Sequence, residues 1–463
     1  MSIVERWVRL ARLPALVLLT LACTAHAQQA VRAIDGRLAS GATWRAEVPA
    51  TWNGTLLLYS HGYAAGPANP ARHHSGAERA ELLARGWALA GSSYAKTGWA
   101  VEEAVPDQLA TIDAFTREVA APRRVIAWGS SMGGLVTVAL LERHPERFAG
   151  GLAACASISG TLGMMNQAFD GAFVFATLLD SRLPLRVGAA GADPKAQRAQ
   201  WQQALDDAQR TPQGRARVAL AASIGQIAPW ADGARPPPAP DDLDGQQQAL
   251  ARNLLGGILL PRDDQERRAG GNYSWNQGID YAQQLQRSGR ESFVRALYRA
   301  AASDLDADLA ALARAPRHQA DPAAVAYMAR HYLPGGELRA PLLVMHTVAD
   351  PLTLPEFSAD YLRLAQQAGQ GEQVRGAWVR RVSHCRFTPA EWVAALDAVV
   401  QRADGGPWAT DPAALQRAAA AVGDGQAAFV AHQPAPLLRA CSARPQGCPG
   451  LPIDPATLAP RLP

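Results

Sequence analysis

Gly129-Ser130-Ser131-Met132-Gly133 follows directly on the apolar run Arg124-Val125-Ile126-Ala127-Trp128 and leads through Gly134 into the helix-like residues 135–142. A strand, a G-x-S-x-G turn and a helix in that order form a nucleophile elbow, in which a tight, strained turn lifts one serine above the end of a parallel sheet. The glycines choose between the two serines. Positions two before and two after the raised residue must be nearly free of side chain; Gly129 and Gly133 stand there for Ser131, whereas Ser130 would put Met132 at one of them. Ser131 is the candidate nucleophile, set against the plain alternative of a Gly/Ser turn at an ordinary strand-to-helix junction.

A serine hydroxyl is a poor nucleophile until a positioned histidine takes its proton, and that histidine needs a carboxylate to fix its tautomer. After an elbow the partners follow in the order acid, then histidine. Pro341-Leu342-Leu343-Val344-Met345-His346 reads as a buried strand running into the turn Thr347-Val348-Ala349-Asp350-Pro351, which puts Asp350 just past a strand end. Trp378-Val379-Arg380-Arg381-Val382 is the next strand, leading to Ser383-His384-Cys385 and a closing helix over residues 389–400. Asp350 and His384 are thus the candidate acid and base. His346 reads as a core histidine, and His73, His74, His144, His318, His331 and His432 lack a strand-end setting. Asp170, Asp280, Asp304, Asp306 and Asp308 compete for the acid but fall in helical, solvated-looking stretches.

An acyl-transfer intermediate also needs preorganised donors for its oxyanion. The backbone N–H of Met132 is one candidate. The other lies in the turn His61-Gly62-Tyr63 after the strand Thr55-Leu56-Leu57-Leu58-Tyr59, where Tyr63 offers either its N–H or its phenol and His61 is read as structural.

These motifs, with Gly98-Trp99-Ala100-Val101 and His384-Cys385-Arg386-Phe387-Thr388, resemble the α/β-hydrolase superfamily from about residue 52 to about residue 398. The likeness is to secreted bacterial serine hydrolases between esterases or lipases and prolyl-oligopeptidase-like enzymes. It implies a mostly parallel central sheet flanked by helices, serine chemistry without a cofactor, and little about the substrate.

The composition fits one large enzyme: 463 residues, 48% hydrophobic and 19% charged. A formal charge of +4 gives no reason to expect nucleic acid, and Lys96 and Lys195 are the only lysines. Arg6, Arg9 and Arg12, an apolar stretch over residues 13–22 and Ala25-His26-Ala27 make residues 1–27 a signal peptide for export to the periplasm or beyond. That stretch is too short for an integral membrane span. Leu21-Ala22-Cys23 leaves lipoprotein anchoring as the alternative. After cleavage Cys155, Cys385, Cys441 and Cys448 remain, an even number in an oxidising compartment. Cys441 and Cys448 are close enough in sequence to pair, leaving Cys155 with Cys385, which would tie the loop of His384 to the sheet; two buried free thiols are the alternative. No second close Cys or His pair has metal-ligand spacing.

The remaining organisation follows the hydrophobic pattern. Residues 31–58 read as early antiparallel strands, 77–85 as a helix, 88–93 as a strand and 101–118 as a helix. Residues 28–159 and 340–403 form two halves of the core, and 404–463 a Pro/Ala-rich tail lying on the surface. Between them, residues 160–339 lose the strand–helix alternation and read as a helical lid, with helices over 194–210, 245–254 and 291–314. Trp275, Tyr273, Tyr281, Met164 and Met165 are candidates for a pocket beneath it, although such residues in a helical insertion are more often core.

The expectation is a secreted hydrolase of a small-molecule or polymer ester. Two alternatives stand: a prolyl-oligopeptidase-like peptidase using Glu102 and Glu103 as a terminus anchor, and a catalytically silent binding protein on the same fold.

Overall fold

The computed structural model describes residues 30–66, 76–189, 192–423, 425–444 and 447–454. The signal-peptide reading, Cys23, His73 and His74 fall outside them. In chain order the elements are β1 (Val31–Arg37), β2 (Thr43–Pro49), β3 (Thr55–Ser60), α1 (Arg79–Ala84), β4 (Ala88–Ser92), α2 (Val101–Glu118), β5 (Arg124–Ser130), α3 (Met132–Arg143) and β6 (Gly150–Ala154). Helices follow: α4 (Gly160–Leu179), α5 (Pro194–Gln209), α6 (Pro212–Ile224), α7 (Leu243–Ile258), α8 (Asp263–Ala269), α9 (Tyr281–Arg287), α10 (Glu291–Ala300), α11 (Leu305–Arg314) and α12 (Pro322–His331). The chain ends with β7 (Leu342–Ala349), α13 (Pro355–Gln367), β8 (Val374–Val382), α14 (Pro389–Ala403), α15 (Pro412–Val422) and β9 (Phe429–Val430).

Nine strands form one sheet in the order β1-β2-β4-β3-β5-β6-β7-β8-β9. The six from β4 to β8 are mutually parallel; β2 and β9 run antiparallel to them at the two sides, and the edge strand β1 pairs antiparallel with β2. The expectation that residues 31–58 are all antiparallel is therefore corrected at β3, which pairs parallel with both β4 and β5. Its sequence explains the position, since Leu56, Leu57 and Leu58 are all fully buried, as a strand covered on both faces requires. Parallel strands end on the same side, so the turns after β3, β5, β7 and β8 converge on one rim.

Helices cover both faces. One apolar core joins the sheet to α2, α3 and α13 through residues such as Phe115, Leu135 and Phe357; another joins it to α1, α14 and α15 through Leu82, Val393 and Leu415. The helices after β6 hold a third core of their own, with Trp201, Leu250 and Tyr298 fully or almost fully buried. Helix α4 belongs to two of these cores: Leu162 and Met165 pack with the sheet layer, Phe173 and Phe175 with the insertion.

No strand interrupts the described part of residues 160–339, in keeping with the lost alternation. Local chemistry sets the helix ends. Asp193 caps α5 by accepting from the Lys195 and Ala196 N–H groups, with Pro194 in the first turn. The single helix expected over 291–314 is two, because Ala302 turns into the left-handed region and Asp304 caps a new start at α11. The tail is more than a surface wrap. It contributes α15, the edge strand β9 and the buried Arg439, which is 1% exposed.

Candidate active site

The elbow is strained where the sequence requires it. Ser131 sits at φ 58°, ψ −127°, in the left-handed half of backbone space, and α3 begins at the next residue. A Cβ on Gly133 would overlap the Ser60 carbonyl, and one on Gly129 would come within 2.5 Å of the Ser60 and Gly133 carbonyl oxygens. Only bare backbone lets strand and helix approach this closely. Ser130, by contrast, ends β5 with its hydroxyl 3.4 Å from the Tyr59 hydroxyl.

His384 Nε2 lies 2.9 Å from Ser131 Oγ, and His384 Nδ1 lies 2.8 Å from Asp350 Oδ2. The three side chains, from three separate strand ends, thus form one continuous hydrogen-bonded chain. Asp350 is fully buried, and its other oxygen accepts from the Leu352 and Thr353 N–H groups at 2.8 and 3.0 Å. Burial alone would raise this carboxyl, yet the facing imidazoles of His346 and His384 hold it well below the usual carboxylate range. It is a carboxylate at any ordinary pH.

Two positions that the sequence reading left in the background stand beside it. His346 is buried in β7, with Nδ1 2.6 Å from Ser358 Oγ, Nε2 2.8 Å from the Thr353 carbonyl and 3.7 Å from Asp350 Oδ2. Thr353 Oγ1 lies 2.9 Å from the Cys155 carbonyl, 3.0 Å from Asp350 Oδ2 and 3.1 Å from His384 Nδ1. No motif marks Thr353. Its only sequence signal is a place in the first polar turn after Asp350.

The turn after β3 closes on the serine. A Cβ on Gly62 would stand 3.3 Å from both the Ser130 carbonyl oxygen and Ser131 Cβ, so this glycine lies against the elbow. His61 stacks on Tyr94 at 3.9 Å between ring centres and directs its nitrogens to the Gly62 and Ser93 carbonyls, 2.7 and 3.2 Å away. Tyr63 is exposed, at 41%, and its phenol is raised above its ordinary value by partial burial and then by Asp264 and Asp263 of α8. The backbone N–H groups of Met132 and Tyr63 have no acceptor among the described residues.

Disulfides join Cys155 to Cys385 and Cys441 to Cys448. The first links the residue after β6 to the residue after His384. Cys155, Cys385 and His384 fall within metal-ligand reach of one another, but both thiols are consumed in the bridge.

The competing acids have other partners. Asp170, expected to be solvated, is fully buried and paired with Arg439 at 2.8 Å, because a guanidinium from the tail reaches it across the insertion. Asp308 is likewise buried and pairs with Arg217, while Asp280 and Asp304 cap helices and the exposed Asp306 faces Arg295. Glu103 binds Arg268 and Lys96, and Glu102 accepts from Tyr327, so neither is a free anchor for a peptide terminus. The five pocket candidates are all buried. Tyr273, Trp275, Met164 and Met165 belong to the sheet-layer core and Tyr281 to the insertion core, its hydroxyl bonded to Asp170 and Asn276. Met165 also borders a cavity of about 10 Å³ between α4 and residues 258–262, room for about one water.

The insertion touches the same rim. Asp264 of α8 accepts from the Trp99 N–H at 2.6 Å, Arg268 donates to the Thr97 carbonyl at 2.7 Å, and Gly257 of α7 packs on the Pro351 carbonyl beside Asp350. Among the described residues no helix is long and apolar enough to cross a membrane.

A family model described as the prolyl oligopeptidase family matches residues 84–171, from α1 into α4 with the elbow at its centre. Over 433 residues the chain is 29% identical to an o-phthalyl amidase of Xanthobacter agilis, covering 86% of this chain and 93% of that protein. Similar solved structures include an esterase from Aspergillus oryzae, at 14% identity and TM-score 0.40, covering 81% of this chain and 80% of that one. A Pyrococcus horikoshii acylaminoacyl peptidase is similar at 11% identity and TM-score 0.34, with 78% of this chain and 38% of that one covered. With this sheet order and elbow the chain has the α/β-hydrolase fold, and its residues 84–171 are similar to the prolyl oligopeptidase family.

Proposed function

We propose that the protein is a serine hydrolase that cleaves a carboxylic ester through an acyl-enzyme, with Ser131, His384 and Asp350 as its triad. The observation that carries this reading is the unbroken chain from Ser131 Oγ through the imidazole to Asp350 Oδ2. With Nδ1–H donated to the carboxylate, Nε2 is bare and takes the serine proton as Oγ attacks the carbonyl carbon. The tetrahedral oxyanion is held by the Met132 N–H and by the His61-Gly62-Tyr63 turn, Tyr63 acting through its backbone. Collapse expels the alcohol, which leaves with the proton from Nε2; water then repeats the sequence on the acyl-enzyme and frees the acid.

An amide is the second reading. It is favoured by the likeness to an o-phthalyl amidase, and it asks the same imidazole to protonate a poorer leaving group. The occupied Glu102 and Glu103 give the peptidase reading no anchor, and a silent binding protein has no use for three aligned side chains. Residues 160–339 act as a lid over the rim, a role supported by the contacts of α7 and α8 with the turns bearing Pro351 and Trp99. Residues 28–159 and 340–403 are the two halves of the catalytic unit. Export after removal of residues 1–27 fits the two disulfides.

A chromogenic panel of acyl esters of graded length, aryl amides and dipeptidyl amides tests the reading. Turnover of esters or aryl amides, abolished in Ser131→Ala, is expected; turnover confined to dipeptidyl amides, or unchanged in Ser131→Ala, contradicts it.

A further inference from the structure

Thr353 touches every part of the hydrogen-bonded chain except the serine. Its N–H donates to Asp350 Oδ1, its carbonyl faces His346 Nε2 at 2.8 Å, and its hydroxyl stands within 3.1 Å of the Cys155 carbonyl, Asp350 Oδ2 and His384 Nδ1. The residue is 2% exposed, so water does not compete for these bonds.

A threonine hydroxyl has one proton and two lone pairs. Two of its three neighbours, the carbonyl and the carboxylate, only accept. The third is settled by Asp350: a carboxylate 2.8 Å from Nδ1 repels the tautomer with a lone pair there, so Nδ1 carries the ring proton. The hydroxyl therefore accepts from Nδ1–H alongside Asp350 and gives its own proton to Cys155 or to Asp350 Oδ2. In the first setting it ties the imidazole to the end of β6. In the second it fixes the carboxylate oxygen that the imidazole uses.

Cys155 is also the disulfide partner of Cys385, the residue after His384. The same residue thus restrains the histidine twice, through the covalent bridge and through its carbonyl by way of Thr353. Asp350 Oδ1 is pinned by backbone, whereas Oδ2 is hydrogen-bonded by His384 and the Thr353 hydroxyl, with His346 Nε2 farther off at 3.7 Å.

We infer that Thr353 is a positioning residue that shares the Nδ1 proton of His384 with Asp350 and fixes the ring in register with Ser131. This rests on the triad proposed above. It acts on the geometry of proton transfer and not on substrate binding, so its loss falls on kcat.

The test compares Thr353→Val, Thr353→Ser and Thr353→Ala with wild type and Ser131→Ala on a chromogenic ester, with the low-field proton resonance of His384 Nδ1–H as a second readout. Valine keeps the shape and removes the hydroxyl. It is expected to lower kcat about 10- to 100-fold with KM nearly unchanged and to move the resonance, while serine restores kcat to within about threefold. Wild-type kcat in Thr353→Val, or a raised KM with kcat unchanged, overturns the inference. If the valine variant does not fold, the smaller pair decides: serine well above alanine supports the role, and equal rates overturn it. Undiminished activity in Ser131→Ala marks failure of the triad itself.

Discussion

His384 Nε2 stands 2.9 Å from Ser131 Oγ across a sequence separation of 253 residues. Such a contact survives only if the loop carrying the histidine is held, and that loop is strained on both sides, with Ser383 at φ 108° and Cys385 at φ 55°. The Cys155–Cys385 bridge supplies the restraint. The double variant Cys155→Ala/Cys385→Ala is expected to lose at least about tenfold in kcat, and the bridge's long loop makes its removal cost up to about 5 kcal/mol of stability. Removing the Cys441–Cys448 bridge should leave kcat close to wild type. Steady-state kinetics on both variants, with urea unfolding, check this; equal kcat losses would contradict it.

The elbow glycines make a steric prediction. Gly133→Ala drives a methyl into the Ser60 carbonyl, a backbone atom that cannot step aside, and should give an inactive or insoluble protein. Gly62→Ala presses on Ser131 Cβ from 3.3 Å and should fold while losing activity. Thermal melts beside ester hydrolysis separate the two; a fully active Gly133→Ala would refute the packing argument.

Asp350 links stability to pH with a definite sign. Its carboxyl is depressed below the unfolded value of about 4, so the stability it contributes is complete above that pH and is lost as pH falls through the folded value. The stability difference between wild type and Asp350→Asn, from urea unfolding, should be constant from about pH 7 to 5 and shrink below about pH 4. A difference that widens on acidification would contradict the assignment.

Asp170 and Arg439 form a fully buried pair that ties the tail to α4. Arg439→Met strands a buried carboxylate, and a loss of about 3–5 kcal/mol is expected, much of it recovered when Asp170→Leu is added. Thermal unfolding of the single and double variants decides the point, since a double variant no more stable than the single one would refute it.

This pair also shows what the sequence conceals. Asp170 looks like any polar residue of a helix, and its partner lies 269 positions away in a segment with no strong periodicity. The three proposed triad positions stood out in the sequence for the opposite reason: each follows an apolar run, and parallel strands bring their far ends to one rim. The break before Asp304 carried a capping signal that a coarse helical pattern overrode, and the start of α15 at Asp411-Pro412 carried one that the Pro/Ala-rich composition of the tail masked. The buried aromatics of residues 273–281 had no signal separating pocket from core. Thr353 had none either, since its role comes from three neighbours that only the fold assembles.

Every proposed step depends on Ser131 being the activated nucleophile. Intact-protein mass spectrometry after treatment with a fluorophosphonate, followed by peptide mapping, tests it most directly. One adduct per chain on Ser131, absent in Ser131→Ala and strongly slowed in His384→Ala, is the expected result. An unmodified chain, or an adduct on another residue that persists in Ser131→Ala, would contradict it.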